Sequence, residues 1–530
     1  MNMASIENVV RPVGSQAKFH TARHDLGILR AVIVTCRYKV STAYLRQQSL
    51  SLHEAIENAL ATVVLGQAML RVGITGEDSK DPAFVHVKAI DMRRMIEWKE
   101  LVVPACASTN AWTADAENEG KSNYEDRLLR CLEKYHEALW EDLASKPGWK
   151  IVVHHDPKQP GALQSHAAAE EDDRSLSLDI SFCFHHAYSD GRGGYTFHGD
   201  LRRALNAGAR RPPELQNHIL HLPTPPVLPP AIDKLIPFRL SWAFILRTAW
   251  TELLYPALVP PFLRRLLRLE PSAADVPWTG APVDGANPRV HIRTLLTADE
   301  AALQRILARC RAHKTSLTGL LHALIARSLA RLVQDRAFRS VTPISIAGYA
   351  DRSAAFTPGE TIHSLVASFS RTYDRDAVQQ LRRDGDGDKG SAQPRDGDAA
   401  LWAFARDMTA RLRAKAASLP RDDILALYGL VGDWHEFFRG KFGKARDGTW
   451  ELSNLGSLPR AEKDRQWVID RAVFTQGANP VGPAIHVNVA GVSGLGIYAT
   501  VNWQDGIVDA DLVEELVGDL RAFVSELGRA

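Results

Sequence analysis

The chain has 530 residues, with 64 Lys and Arg against 62 Asp and Glu, a formal charge of +2, and 45% apolar and 24% charged residues. That length exceeds one ordinary core and fits two domains of roughly 200 residues each plus connections. The even charge balance argues against a nucleic-acid groove or an acidic polymer as the main partner.

Five cysteines (Cys36, Cys106, Cys131, Cys183, Cys310) match neither a zinc spacing nor a disulfide framework, and their number is odd. A reducing compartment is expected. The opening MNMASIENVVRPVGSQ lacks the basic-then-apolar pattern of a secretory signal, and no apolar run is long enough to span a bilayer. A cytoplasmic location follows as the expectation.

In chain order, residues 1–210 read as a first α/β unit. LRAVIVTCRY predicts a strand, and Ser51 with Glu54 forms a capping-box pattern that opens a helix carrying Ala55, Ala59 and Val63. NYEDRLLRCLEKYHEALWEDL predicts a helix, WKIVVHH a strand, and the residues from Leu176 a long alternating strand. Residues 211–285 change character: LPTPPVLPP must be extended and marks a crossover. The following LSWAFILRTAWTELLYPALVPPFLRRLL is apolar and aromatic but interrupted by Arg247, Glu252, Pro256, Pro260 and Pro261, which argues against a transmembrane helix. It reads as a helix over the domain junction, with peripheral membrane contact through 240–267 as the second reading.

Residues 286–530 form a second α/β unit. RVHIRTLL predicts a strand, and Thr297 with Glu300 the cap of a helix bearing Leu303, Ile306, Leu307 and Cys310. TSLTGLLHALIARSLARL predicts a buried helix. The charged Asp/Gly-rich stretch near 382–399 imitates a calcium loop, but Lys389 and Arg395 occupy its glycine and bidentate-glutamate positions, so a disordered insertion is expected. WELSNLGSL, QWVIDRAVF, AIHVNVAGV and GIYATVNW predict strands, and a helix closes the chain from about Ala510 to Leu527. The GVSGLG run around Gly491 fits a hairpin turn between two of these strands better than a dinucleotide loop.

The chemistry concentrates in RSLSLDISFCFHHAYSDGRGGYTFHGDL. Alternation puts Leu176, Leu178, Ile180, Phe182, Phe184 and His186 on one face, and Ser177, Asp179, Ser181, Cys183 and His185 on the other. An imidazole at the end of a buried strand, with a carboxylate four residues later in a glycine-rich turn, suits a general base. Cys183 and His186 fall on opposite faces, which disfavours a Cys–His nucleophile pair.

HHAYSDG, His185 to Gly191, matches the HHxxxDG pattern of the coenzyme-A-dependent acyltransferase superfamily, which includes chloramphenicol acetyltransferase and the condensation domains of peptide synthetases. RPVGSQAKFHTARHDLGILRAVIVTCRY, SLTGLLHALIARSLA and ELSNLGSL resemble segments of the fungal alcohol acetyltransferase family. The DFGWG motif of the plant branch is absent.

This resemblance implies a mixed α/β (α+β) fold of two chloramphenicol-acetyltransferase-like subdomains, each a mixed sheet with flanking helices, and an active-site tunnel at their interface. It implies an O-acyltransferase that moves an acetyl or short acyl group from acetyl-CoA to a small-molecule alcohol, with no metal and no protein partner. His186 would be the general base. Asp190 would be architectural beside it, held by an arginine such as Arg352 or Arg23. His185 and Gly191 would be structural. Ser453 or Asn454 would supply an oxyanion donor, although SNLG also reads as a plain turn. The alternatives are a condensation-type N-acyltransferase and a catalytically silent member of the fold that binds a lipid or acyl thioester.

Overall fold

The computed structural model describes residues 8–47, 50–101, 114–156, 175–250, 275–353, 355–383, 399–460 and 465–529. The Asp/Gly-rich run 384–398, Cys106 and residues 251–274 lie outside the described residues.

The N-terminal part holds helix α1 (Ser15–Asp25), strand β1 (Val32–Ser41), helix α2 (Leu52–Gly66), strand β2 (Ile96–Glu100), helix α3 (Ala114–Glu137), strands β3 (Trp149–His155) and β4 (Ser175–Phe184), and helix α4 (Gly191–Asn206). The capping box of α2 forms as expected: Glu54 N donates to Ser51 Oγ at 3.2 Å, and Ser51 N to Glu54 Oε2 at 2.9 Å. Helix α3 ends at Glu137 instead of running on to Leu143. Helix α5 (Trp242–Ala249) is the described part of the apolar stretch after the Pro-rich crossover, and it leaves Trp242, Leu246 and Trp250 exposed.

The C-terminal part adds β5 (Val290–Asp299), α6 (Glu300–Ala312), α7 (Leu317–Leu332), β6 (Phe338–Ser345), β7 (Val366–Tyr373), α8 (Ala399–Ser418), β8 (Trp450–Leu458), β9 (Val468–Gln476), β10 (Ile485–Val492), β11 (Gly496–Gln504) and α9 (Ala510–Arg529). The cap of α6 differs from expectation. Thr297 is still in the β5 ladder opposite Tyr498, and Asp299 caps the helix by accepting from Ala302 N at 2.7 Å. The glycines after β10 turn the chain into the β10–β11 hairpin, Gly494 and Gly496 both taking positive φ.

Two mixed sheets carry these elements. The first has the order β9-β1-β4-β3-β2, the second β5-β11-β10-β8-β6-β7. Strand β9 therefore leaves the C-terminal part and joins the edge of the N-terminal sheet, antiparallel to β1, with Gln476 opposite Val32. An ion pair locks it there: Arg471 of β9 and Arg37 of β1 both hold Asp179 of β4, which also accepts from Tyr124. The two parts are thus interleaved through shared hydrogen bonds.

The second sheet has two unlike faces. Trp450, Leu452, Ile485, Val487, Val489, Val501 and Trp503 pack with Leu320, Leu324, Val513 and Leu516 of the covering helices into one core. On the strands between them, Glu451, Ser453, His486, Asn488, Thr500, Asn502 and Gln504 are buried as well. Polar residues in alternate positions of central strands mean that this face meets something other than a hydrocarbon core. Asn488 Nδ2 donates to Asn502 Oδ1 at 2.7 Å, and Gln476 of β9 donates to both Glu451 and Asn488. The polar face is therefore turned toward the N-terminal part.

Candidate active site

Strand β4 ends at Phe184, before the two histidines. The His185 carbonyl accepts Tyr188 N at 3.1 Å, so His186 and Ala187 are the central residues of a turn. The strand alternation stops one step short of His186, which sits on the turn and not on the apolar face. It is half-buried, whereas His185 is 1% exposed.

His185 belongs to a closed brace. Its Nδ1 accepts Ala187 N at 3.0 Å, which leaves the proton on Nε2 to be donated to Glu77 Oε1 at 2.8 Å. His24 of α1 mirrors this arrangement: Nε2 accepts Trp140 N at 3.1 Å, and Nδ1 donates to Glu77 Oε2 at 2.9 Å. Burial raises the Glu77 pKa, but hydrogen bonds from His185 and His24 outweigh it and bring the carboxyl down to about 2. His24, Glu77 and His185 are close enough to share a cation. The backbone amides nevertheless fix tautomers in which both inward nitrogens carry protons, so the trio is a hydrogen-bonded brace and a poor metal ligand set.

His186 lies against α1. Its ring is stacked on that of His20, with centroids 3.9 Å apart and planes 13° apart. Burial, with the positive charge of Arg23 next in weight, lowers its pKa to about 4. Its imidazole is therefore neutral at neutral pH, with a nitrogen lone pair available to accept a proton. Arg23, one turn beyond His20, donates to Asn479 Oδ1 at 2.8 Å. Burial brings its own pKa down to about 10, against the opposing pull of Glu451. Helix α1 thus spans the two parts of the molecule at the point where His186 emerges.

Asp190 is placed differently from the expectation of an arginine partner. It caps α4, Oδ1 accepting Gly193 N at 2.8 Å, while Oδ2 accepts Leu365 N at 2.9 Å. Arg352 is exposed, and Arg23 is engaged with Asn479. Two backbone amides, one from each half of the chain, do the work assigned to a guanidinium. Burial raises the Asp190 pKa, and those amides oppose it. Gly191 serves close packing against a side chain: a Cβ there would lie 2.4 Å from Leu455 Cδ2. Arg192 then donates to the Leu455 carbonyl at 2.7 Å, which fastens the start of α4 to β8.

Ser453 is buried on the polar face of β8, opposite Asn488. Asn454 is engaged in a local turn, accepting Gly456 N at 2.9 Å and donating to Thr318 Oγ1 at 3.2 Å. Cys183 is buried beside Ile33, Val152 and Val473, where desolvation pushes its thiol up to about 12. The sequence reading missed Glu77, His20 and His24 as site residues. The available signal was the spacing of Gln16, His20 and Arg23 along one helical face, all three buried although polar.

Solved structures share this architecture. The trichothecene 15-O-acetyltransferase TRI3 from Fusarium sporotrichioides superposes with a TM-score of 0.60 at 14% identity, over 98% of this chain and 94% of that chain. The first condensation domain of the calcium-dependent antibiotic synthetase gives 0.52 at 12% identity, over 98% and 96%. The fold is thus that of the chloramphenicol-acetyltransferase-like acyltransferases and condensation domains, with the histidine turn where the two subdomains meet. Within that class the chain is similar to the alcohol acetyltransferase family. The family model described as Alcohol acetyltransferase matches residues 117–346. The probable alcohol acetyltransferase FCK4 of Fusarium pseudograminearum is 28% identical over 98% of this chain and 96% of its own length.

Proposed function

We propose that the protein is an O-acyltransferase that moves an acetyl group from acetyl-CoA to an alcohol, with His186 as general base and no covalent acyl-enzyme. The observation that carries this reading is the state of His186: a neutral imidazole on a turn between the subdomains, whose Nδ1 has no hydrogen-bond partner among the described residues. Such a group is free to take a proton. Similarity to the alcohol acetyltransferase family supports the reaction class.

In the proposed reaction, His186 removes the hydroxyl proton as the alcohol oxygen attacks the thioester carbonyl. The tetrahedral intermediate collapses with cleavage of the carbon–sulfur bond, and the imidazolium returns its proton to the departing thiolate. An oxyanion donor in such a site contributes about 3 kcal/mol. We assign that role to Ser453, because Asn454 is committed to Thr318 and Gly456. The buried Cys183 thiol, held protonated, supports direct transfer.

Thiol release from acetyl-CoA, measured over a panel of aliphatic, aromatic, terpenoid and amine acceptors with the product identified by mass, tests this reading. Ester formation supports it, amide formation moves it to condensation-type chemistry, and thioester binding without turnover moves it to a silent binding protein. Trp242, Leu246 and Trp250 form the surface we assign to peripheral membrane contact, which co-sedimentation with anionic vesicles tests. Among the described residues no helix is long and apolar enough to cross a membrane.

A further inference from the structure

His20 is a buried histidine whose ring is stacked on that of His186. It is 6% exposed, and neither ring nitrogen has a hydrogen-bond partner. An unsatisfied buried polar group costs about 1–3 kcal/mol, so an apolar side chain of similar size would be the more stable choice for packing alone. Among the described residues His486 is the other buried histidine with both nitrogens unpartnered, and it lies 3.7 Å from the Glu451 carboxylate, whereas three further buried histidines show the contrast. His136 holds the Ala31 carbonyl and Thr475, His198 holds Tyr38 and the Val34 carbonyl, and His322 lies between Thr342 and Trp450. Each is satisfied at both nitrogens. His20 forgoes such partners and instead lays its ring flat on His186.

The backbone of His20 is well placed for this. Phe19 packs its ring among Tyr428, Trp434 and Phe438, and Arg23 is tied to Asn479, so both flanks of His20 on α1 are anchored in the C-terminal part. On the other side, the His24–Glu77–His185 brace joins α1 to the residue immediately before His186. The two rings are therefore each carried on a fixed support, and the stack is their meeting point. His186 needs it: its position on a turn gives it no ladder hydrogen bonds, and its ring Nδ1 has no hydrogen-bond partner among the described residues.

We propose that His20 is a positioning residue for His186, its flat ring fixing the plane in which the His186 imidazole meets the acceptor hydroxyl and covering one face of that ring against water. A planar group stacked at van der Waals distance removes the rotation about the side-chain torsions that a branched or unbranched aliphatic chain would permit. Orientation of this kind affects the reaction rate more than substrate binding. The proposal rests on the reading of His186 as the base, while the stack itself can be observed without any turnover.

The experiment compares wild type with His20→Leu, His20→Gln and His20→Phe, in the full chain with ¹³Cε1-labelled histidine. The His186 Cε1–H signal is assigned by its loss in His186→Ala. In wild type this proton should show the ring-current shift of a stacked partner. In His20→Leu and His20→Gln the signal should lose that shift, and kcat should fall at least about tenfold with KM for acetyl-CoA and acceptor within about twofold. His20→Phe, which restores a flat ring, should recover most of the rate. His20→Leu should melt at or above the wild-type temperature, because it removes two unsatisfied nitrogens. A purely structural role predicts the reverse: lower stability with kcat preserved in the folded fraction. A His186 signal that does not move in folded His20→Leu or His20→Gln overturns the proposal, as does a kcat within twofold of wild type. If His186→Ala remains fully active, the base assignment fails, and the signal shift alone then decides whether the stack exists.

Discussion

At the scale of single residues, the site is a set of hydrogen bonds that fix which nitrogen carries which proton. Glu77 illustrates the consequence. Its two oxygens each accept a histidine N–H, and both histidines are locked into donating by backbone amides on their far nitrogens. Glu77→Gln would set an NH₂ group against an N–H donor, losing one charge-assisted bond and leaving a buried donor unpaired. A loss of about 2–4 kcal/mol is expected, read as a lower denaturant midpoint at constant slope. A change below about 0.5 kcal/mol would show that the brace contributes little. The histidine motif itself was legible from the sequence, because HHAYSDG is contiguous and its turn-forming residues announce the end of a strand. Glu77 was not, since it lies 108 residues from His185 and only the fold brings them together. The expected arginine at Asp190 was wrong for a related reason: spacing shows a carboxylate but not that two backbone amides already satisfy it.

At the scale of elements, β4 is the spine of the N-terminal sheet and separates two environments. One face carries Leu176, Leu178, Ile180, Phe182 and Phe184 into the main N-terminal core. The other carries Asp179, Ser181 and Cys183, with Asp179 bound to Arg37 and Arg471 and Ser181 to Thr35 and His154. Cys183 is thereby withdrawn from the histidine turn and held as a thiol. Cys183→Ala is expected to keep ester formation within about threefold of wild type, and no acetylated protein should accumulate by intact mass. A stable acetyl adduct lost in the Cys183→Ala protein would establish a covalent route instead. Alternation made these faces readable in advance, and the C-terminal strands were read for the same reason. The alternation of His486, Asn488, Thr500, Asn502 and Gln504 was equally visible, but its meaning requires knowing that both faces of that sheet are covered. Helix α1 escaped notice because its buried side is polar, and a search for apolar periodicity passes over it.

At the scale of the whole molecule, the interleaving of β9 with the N-terminal sheet and the staple from Asp190 to Leu365 join the two parts into one interleaved body. Buried histidines give that body a characteristic acid response. Burial lowers the pKa of His136 and His322 to about 3, and that of His154, His186, His198 and His363 to about 4. An unfolded histidine titrates near 6.5, at about the usual value. Between these values the unfolded chain binds protons that the folded chain refuses, so stability rises with pH across that window and levels off above it. The melting temperature should fall steadily as pH drops from about 6.5 toward 4, and should be nearly flat from 7 to 8. A melting temperature that is constant down to pH 4.5 would mean these histidines are charged or exposed in the folded protein.

The central claim is that His186 moves the proton, and the direct measurement is the rate of ester formation by wild type and His186→Ala with acetyl-CoA and the best acceptor, at pH 7.5 and saturating substrate. The account predicts a fall of at least about a hundredfold in kcat, with a folded variant that still binds acetyl-CoA. Ester formation in His186→Ala at the wild-type rate would contradict it.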